Sequence, residues 1–231
     1  MRAECKALYT RALRGYEEQL GAEHPFTLRC VNNLAAIFCE ESKFSEAKDL
    51  FEQVLEKQEA EFGTDHKDTI VTVGNLAVVN EQLDNYEEAR IFFERAVLGN
   101  HKNHGTEHPA TISITVGFAG FLSKHGKYAE AKGLFEVVLE AHRKKFGESH
   151  PSTLMILFNI GGLLKQEGKF DEGRRMLERA RAGFEQALGS DHDYTKLAAN
   201  AISDCDESTS MDVMKKGGDG DITVEQNNEA F

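Results

Sequence analysis

Five histidines, His24, His66, His108, His150 and His192, recur 42 residues apart, and imidazole is the side chain that most readily moves protons near neutral pH. Five such groups would form a proton relay only by converging on one substrate. Spaced by whole repeats along the chain they cannot do so, and they read as turn or packing residues. A second set, His101, His104 and His108 with Glu107, has the three- and four-residue spacing by which imidazoles share a zinc ion on one helix. Gly105 interrupts a helix between His104 and His108, so the segment reads as a solvated loop and no metal site is expected. The run from Gly217 to Asp221 offers calcium-like oxygens but lacks the acid that closes an EF-hand loop. No serine or cysteine nucleophile motif and no phosphate-cradling glycine loop is present. The expectation is a protein without catalytic residues or cofactor, and not an enzyme.

What positions the histidines is a repeating unit. Gly21, Gly63, Gly105, Gly147 and Gly189 precede them by three residues, and Thr27, Thr69, Thr111, Thr153 and Thr195 follow by three. A fixed period between 20 and 50 residues signals stacked supersecondary units, none of which buries its apolar face alone. Within one unit, Leu28, Val31, Leu34, Ala35 and Phe38 recur at helical spacing. After a polar break at 40–43, Phe44, Ala47, Leu50, Phe51, Val54 and Leu55 form a second helical stripe, so the unit is a helical hairpin. Gly63 sits where a left-handed residue would close a helix, and Thr69 or Asp68 is placed to accept from the amides opening the next one. Pro25, Pro109 and Pro151 fit a first helical turn. One column of small residues, Ala47, Ala89, Ala131 and Gly173, marks close approach of the two helices.

The fold class is therefore all-α, a right-handed solenoid of stacked antiparallel hairpins. Leu8, Tyr9, Ala12 and Leu13 fall one period before Leu50, Phe51, Val54 and Leu55, so the chain opens on a second helix, as a fragment of a longer protein or an unusual terminal unit. The expected organisation is a partial repeat and connector over 1–25, four complete repeats and a capping helix over 26–202, and an acidic disordered tail over 203–231. With 231 residues and 40% hydrophobic content, one elongated solenoid with a continuous core is expected. The net charge of −12 argues against nucleic acid, whose phosphates need clustered lysine and arginine. No apolar run suits a leader or a membrane span, and four cysteines without a pairing pattern suit reduced thiols. A soluble, cytoplasmic protein without membrane insertion is expected; the oligomeric state is not readable from the sequence.

The order of columns, Leu34-Ala35, Lys43-Phe44, Glu46-Ala47, Phe51 and Val54-Leu55, resembles the tetratricopeptide repeat, whose usual length is 34 residues. The 42-residue form here, with Asn32 to Ala35 in the first helix, the turn Gly126-Lys127-Tyr128 and the connector Leu20-Gly21 with His24-Pro25, is similar to the repeat of kinesin light chains. That resemblance implies a groove lined by first helices in which a partner's peptide segment lies. Mapped onto this sequence, the groove comprises Arg29, Asn32, Ala36 and Glu40, then Val78 and Glu81, then Val116, Gly120 and Lys124, and finally Met155, Phe158, Gly162 and Lys165. In kinesin light chains an asparagine at the place of Asn32 holds the peptide backbone, and basic side chains attract acidic residues around a tryptophan.

The implied function is a non-catalytic scaffold that binds a protein or peptide partner, with kinesin-linked cargo adaptation in microtubule-based transport as its specific form. The alternative is a ligand-sensing or regulatory repeat region of a larger signalling NTPase, since similar 42-residue units occur there too.

Overall fold

The structure is a computed structural model that describes residues 2–217; the side chains of residues 2, 3, 5 and 206–217 are left undescribed. Ten helices and no strand are found among the described residues: α1 (Arg2–Leu20), α2 (Pro25–Glu40), α3 (Phe44–Phe62), α4 (Lys67–Gln82), α5 (Tyr86–His104), α6 (Pro109–Lys124), α7 (Tyr128–Phe146), α8 (Pro151–Gln166), α9 (Phe170–Leu188) and α10 (Asp193–Gly217). The expected alternation of first and second helices is present. The packing separates into two compact units, residues 1–141 and 142–231, rather than one undivided body, with the division inside α7.

Each connector is closed by the three recurring residue types, in roles the sequence did not assign. The histidine is the helix N-cap: its ring Nδ1 accepts from the amide two residues on, Phe26 to His24 at 3.2 Å, Asp68 to His66 at 3.3 Å, Ala110 to His108, Ser152 to His150 and Tyr194 to His192 each at 3.2 Å. One of the orphan amides of each first helix is thereby satisfied. The expectation that the threonine or Asp68 accepts from the helix amides is not met by the threonines. Instead the hydroxyls of Thr27, Thr153 and Thr195 donate at 2.8 Å to the carbonyls of Gly21, Gly147 and Gly189, and that of Thr69 at 3.0 Å to Gly63. Thr111 departs from this pattern, its hydroxyl buried and without a partner. The glycines are not in the left-handed helical conformation. Gly63 has φ 89° and ψ 167°, Gly105 80° and 171°, and Gly189 95° and 163°, a region that a Cβ excludes.

The turn inside each hairpin is a Schellman closure. The amide of Lys43 donates to Phe38 at 2.9 Å and that of Ser42 to Cys39 at 3.0 Å, and the pattern returns at Asn85, Lys127 and Lys169. The left-handed residue in this column is Ser42, Asp84, Gly126 and Gly168 in turn.

Within residues 1–141 the two helices of a hairpin meet through alanine on both sides: Ala35 with Ala47, Ala77 with Ala89 and Ala119 with Ala131 are all fully buried. Phe51, Val73, Leu76 and Ala96 complete the core between α2 and α5. A cavity of about 140 Å³ lies between α1, α2 and α3, lined by Leu13, Leu28, Val31, Leu50 and Val54, with Lys57 at its edge. Lys57 occupies the column of Gly99, Ala141 and Gly183. A Cβ at Gly99 would overlap Ile70, so the small residue admits close packing that the lysine denies.

In residues 142–231 the same crossing is made by glycine on both helices. A Cβ at Gly173 would stand 2.9 Å from the Gly161 carbonyl oxygen. Helix α10 docks through buried Thr195, Ala198 and Cys205. It continues to Gly217, past Ser203, where the sequence suggests a change from capping helix to tail. The remainder of the expected tail, with Asp219 and Asp221 of the calcium-like run, lies outside the described residues.

Candidate peptide-binding face

Exposure along the first helices of residues 1–141 follows four columns. Arg29, Asn33, Ala36 and Glu40 face outward on α2, Val71, Val78 and Gln82 on α4, and Ser113, Gly117, Gly120 and Lys124 on α6. Helical spacing puts each set on one stripe. Contacts of Asn32 with Thr72 and of Lys124 with Glu81 hold the three helices side by side. Val71 and Val78 retain 56% and 47% of their surface, an apolar pair two turns apart on α4.

The expected residues fall into two groups. Arg29, Ala36, Glu40, Val78, Gly120 and Lys124 are exposed on this face, and Val116 and Glu81 are half-buried. Asn32 is different: only 8% exposed, its amide donates to Thr72 Oγ1 at 2.6 Å, and Thr72 donates on to Gln58 Oε1 at 2.7 Å. Its Oδ1 is buried without a partner. The residue ties α2 to α4 rather than presenting an amide outward. The outward asparagine is its neighbour. Asn33 is exposed and Asn75, one period on, is half-buried. The sequence held the signal, because Asn33, Asn75 and Asn159 recur at 42 residues or a multiple of it while Asn32 does not. In residues 142–231, Met155, Phe158, Gly162 and Lys165 are all half-buried on α8.

The basic side chains on the face are already engaged. Lys124 lies 3.7 Å from Glu81, and Arg29 lies over the Phe26 ring at 5.1 Å. At the end of α2, Lys43 and Lys6 reach Glu41 at 2.7 Å and 2.9 Å, and these bonds hold the Glu41 carboxyl below its ordinary range. In the second unit Lys165 is bonded to Asp204 at 2.9 Å. Around Gly120 no atom lies within 4 Å of where a Cβ would be, so the surface there is open rather than a closed pocket.

The three connector rings do not converge on one point. His104 stacks on His108 with centroids 4.4 Å apart, as Phe146 does on His150 at 4.7 Å, while His101 Nδ1 faces Thr106 Oγ1 at 3.1 Å. No group of three or more His, Cys, Asp or Glu poised to hold a metal occurs among the described residues. No described helix is long and apolar enough to cross a membrane.

The sequence profile of the tetratricopeptide repeat matches residues 2–60, 32–97 and 68–144, and a second profile of the same description matches residues 153–194. No curated protein matches the sequence. Among solved structures, the nearly identical TPR-like repeats of a putative kinesin light chain from Podosopora anserina superimpose with a TM-score of 0.73 at 24% identity, over 81% of this chain and 89% of that one. BtubC from P. vanneervenii gives 0.68 at 17% identity, over 100% and 97%. A tetratricopeptide repeat protein from Parabacteroides merdae gives 0.62 at 16% identity, over 90% and 68%.

Proposed function

From the premise that this chain belongs to the tetratricopeptide repeat family, we propose that it is a non-catalytic scaffold that takes a segment of a partner protein on the first-helix face of residues 1–141. The observation that carries this reading is the coexistence of exposed Val71 and Val78 with exposed Asn33 and half-buried Asn75 in the column between them. Apolar side chains on a rigid helical floor supply contact energy. A carboxamide has both a donor and an acceptor, and so matches the backbone carbonyl and amide of an extended segment. The small residues Ala36 and Gly120 leave room for the partner's side chains. Kinesin-linked cargo adaptation is the finer form of this reading, and likeness of fold is its support.

The test is capture of partners by the full chain and by an Asn33→Ala/Asn75→Ala variant, with binding of each captured protein then measured in purified form. Loss of binding in the variant, at unchanged helical content, is expected. Equal binding by both proteins would move the interaction to another face.

A further inference from the structure

Charge is absent from most of this face. Helices α2, α4 and α6 together carry Arg29, Lys67 and Lys124 against Glu40, Asp68 and Glu81, three of each sign. No charged residue occurs from Thr69 to Asn80 or from Pro109 to Ser123. The unit around them is strongly acidic, with 15 basic and 23 acidic residues in 1–141, a net charge of 15 − 23 = −8. Of the three basic groups, Lys124 is paired with Glu81, Arg29 rests on Phe26, and Lys67 stands at the start of α4.

Resting on the reading above, we infer that the segment bound here is extended, uncharged and apolar, and that acidic segments are selected against. Attraction of an acidic peptide would require an unpaired basic cluster, and its approach would be opposed by the field of the unit. The apolar spacing fits an extended ligand. Val71 and Val78 are separated by about 10.5 Å along α4, and side chains three residues apart on a segment extended in the polyproline II conformation share one face about 9 Å apart. Asn33 and Asn75 lie in the column between the two valine columns, level with the backbone that would join those side chains. A helical ligand, its backbone already bonded, would leave both carboxamides unused.

The test uses a displayed library of random 12-residue peptides as probe, selected on the full chain, with enriched sequences synthesised and their affinities measured at low and high salt. Enriched peptides are expected to be poor in Asp and Glu and to carry apolar residues three positions apart. Their Kd should change by less than about threefold between 50 and 500 mM NaCl, since screening acts on charges and not on apolar contact. Val78→Asp, at a position whose exposure leaves the fold intact, should weaken them by about tenfold or more. Acidic peptides that lose affinity steeply with salt, yet still need Asn33, Asn75 and Val78, would overturn the inference and leave the face standing. Neutral peptides indifferent to all three substitutions would overturn the face itself, as would a selection that enriches nothing.

Discussion

Ser42 and Asp84 hold φ values of 59° and 57° where Gly126 and Gly168 hold 73° and 83°, so the same turn is built with a Cβ in two hairpins and without one in two. A left-handed residue with a Cβ costs about 1–2 kcal/mol, and glycine's greater freedom in the unfolded state offsets about 0.5–1 of that gain. Ser42→Gly should therefore raise stability by about 0.5–1 kcal/mol, read from the denaturant midpoint. A second residue of consequence is His142, in the column of Gln58, Asn100 and Phe184. It is 7% exposed with Nδ1 unpartnered. Burial holds its pKa below the ordinary value of 6.5, aided by His150 and Lys145 and opposed by a hydrogen bond to the Ser152 backbone. Well above pH 6.5 the ring is neutral in the folded and unfolded states and contributes no pH dependence. Below it the unfolded state takes up a proton that the folded site resists, so stability falls until the folded pKa is passed. His142→Phe should flatten this component of the pH–stability curve, measured by denaturation at pH 7.5 and stepwise below 6.5. Neither feature was legible in advance. A left-handed serine has no distinguishing neighbour in the sequence, and burial of one imidazole depends on which side of α7 meets α8.

At the scale of the helix, the crossing of α8 and α9 brings backbone against backbone. A Cβ at Gly173 would meet the backbone of Gly161 at 2.9 Å and of Lys165 at 3.1 Å, atoms that cannot swing aside. Gly173→Ala should destabilise by about 1–3 kcal/mol through overpacking, although alanine is the better helix former. Gly133, in the open on α7 with nothing within 4 Å of a Cβ, supplies the contrast. Gly133→Ala should stabilise by about 0.5–1 kcal/mol, and thermal unfolding of the two variants checks both signs. The sequence displayed one half of the crossing, since the column Ala47, Ala89, Ala131 and Gly173 interrupts an otherwise large apolar stripe. Its partner, Ala35, Ala77, Ala119 and Gly161, merges with the apolar stripe of the first helix. The boundaries of α2 and α3 were legible to within two residues because Pro25 and Gly63 punctuate them. The cap was not, because histidine is outside the usual N-cap set of Ser, Thr, Asp and Asn.

For the whole molecule, periodicity carried the architecture. The 42-residue recurrence yields the hairpins because each column repeats the same packing task. The acidic, sparsely apolar stretch after Ser203 suggested disorder, yet α10 runs to Gly217. Adding residues to a helix already nucleated on buried Thr195, Ala198 and Cys205 requires far less than starting one. The candidate site was half legible. Spacing marked the first helices as a face, and the recurrence of Asn33, Asn75 and Asn159 marked its asparagine column, but the seam that draws Asn32 to Thr72 is visible only in the packing.

The histidine caps carry a further consequence. To accept at Nδ1, each neutral ring must hold its proton on Nε2, so the described connectors fix one tautomer at five sites. The two tautomers have well-separated nitrogen resonances. Isotope labelling of histidine alone would thus place one spectroscopic beacon at each junction, and progressive denaturation would show whether the beacons go out together or junction by junction.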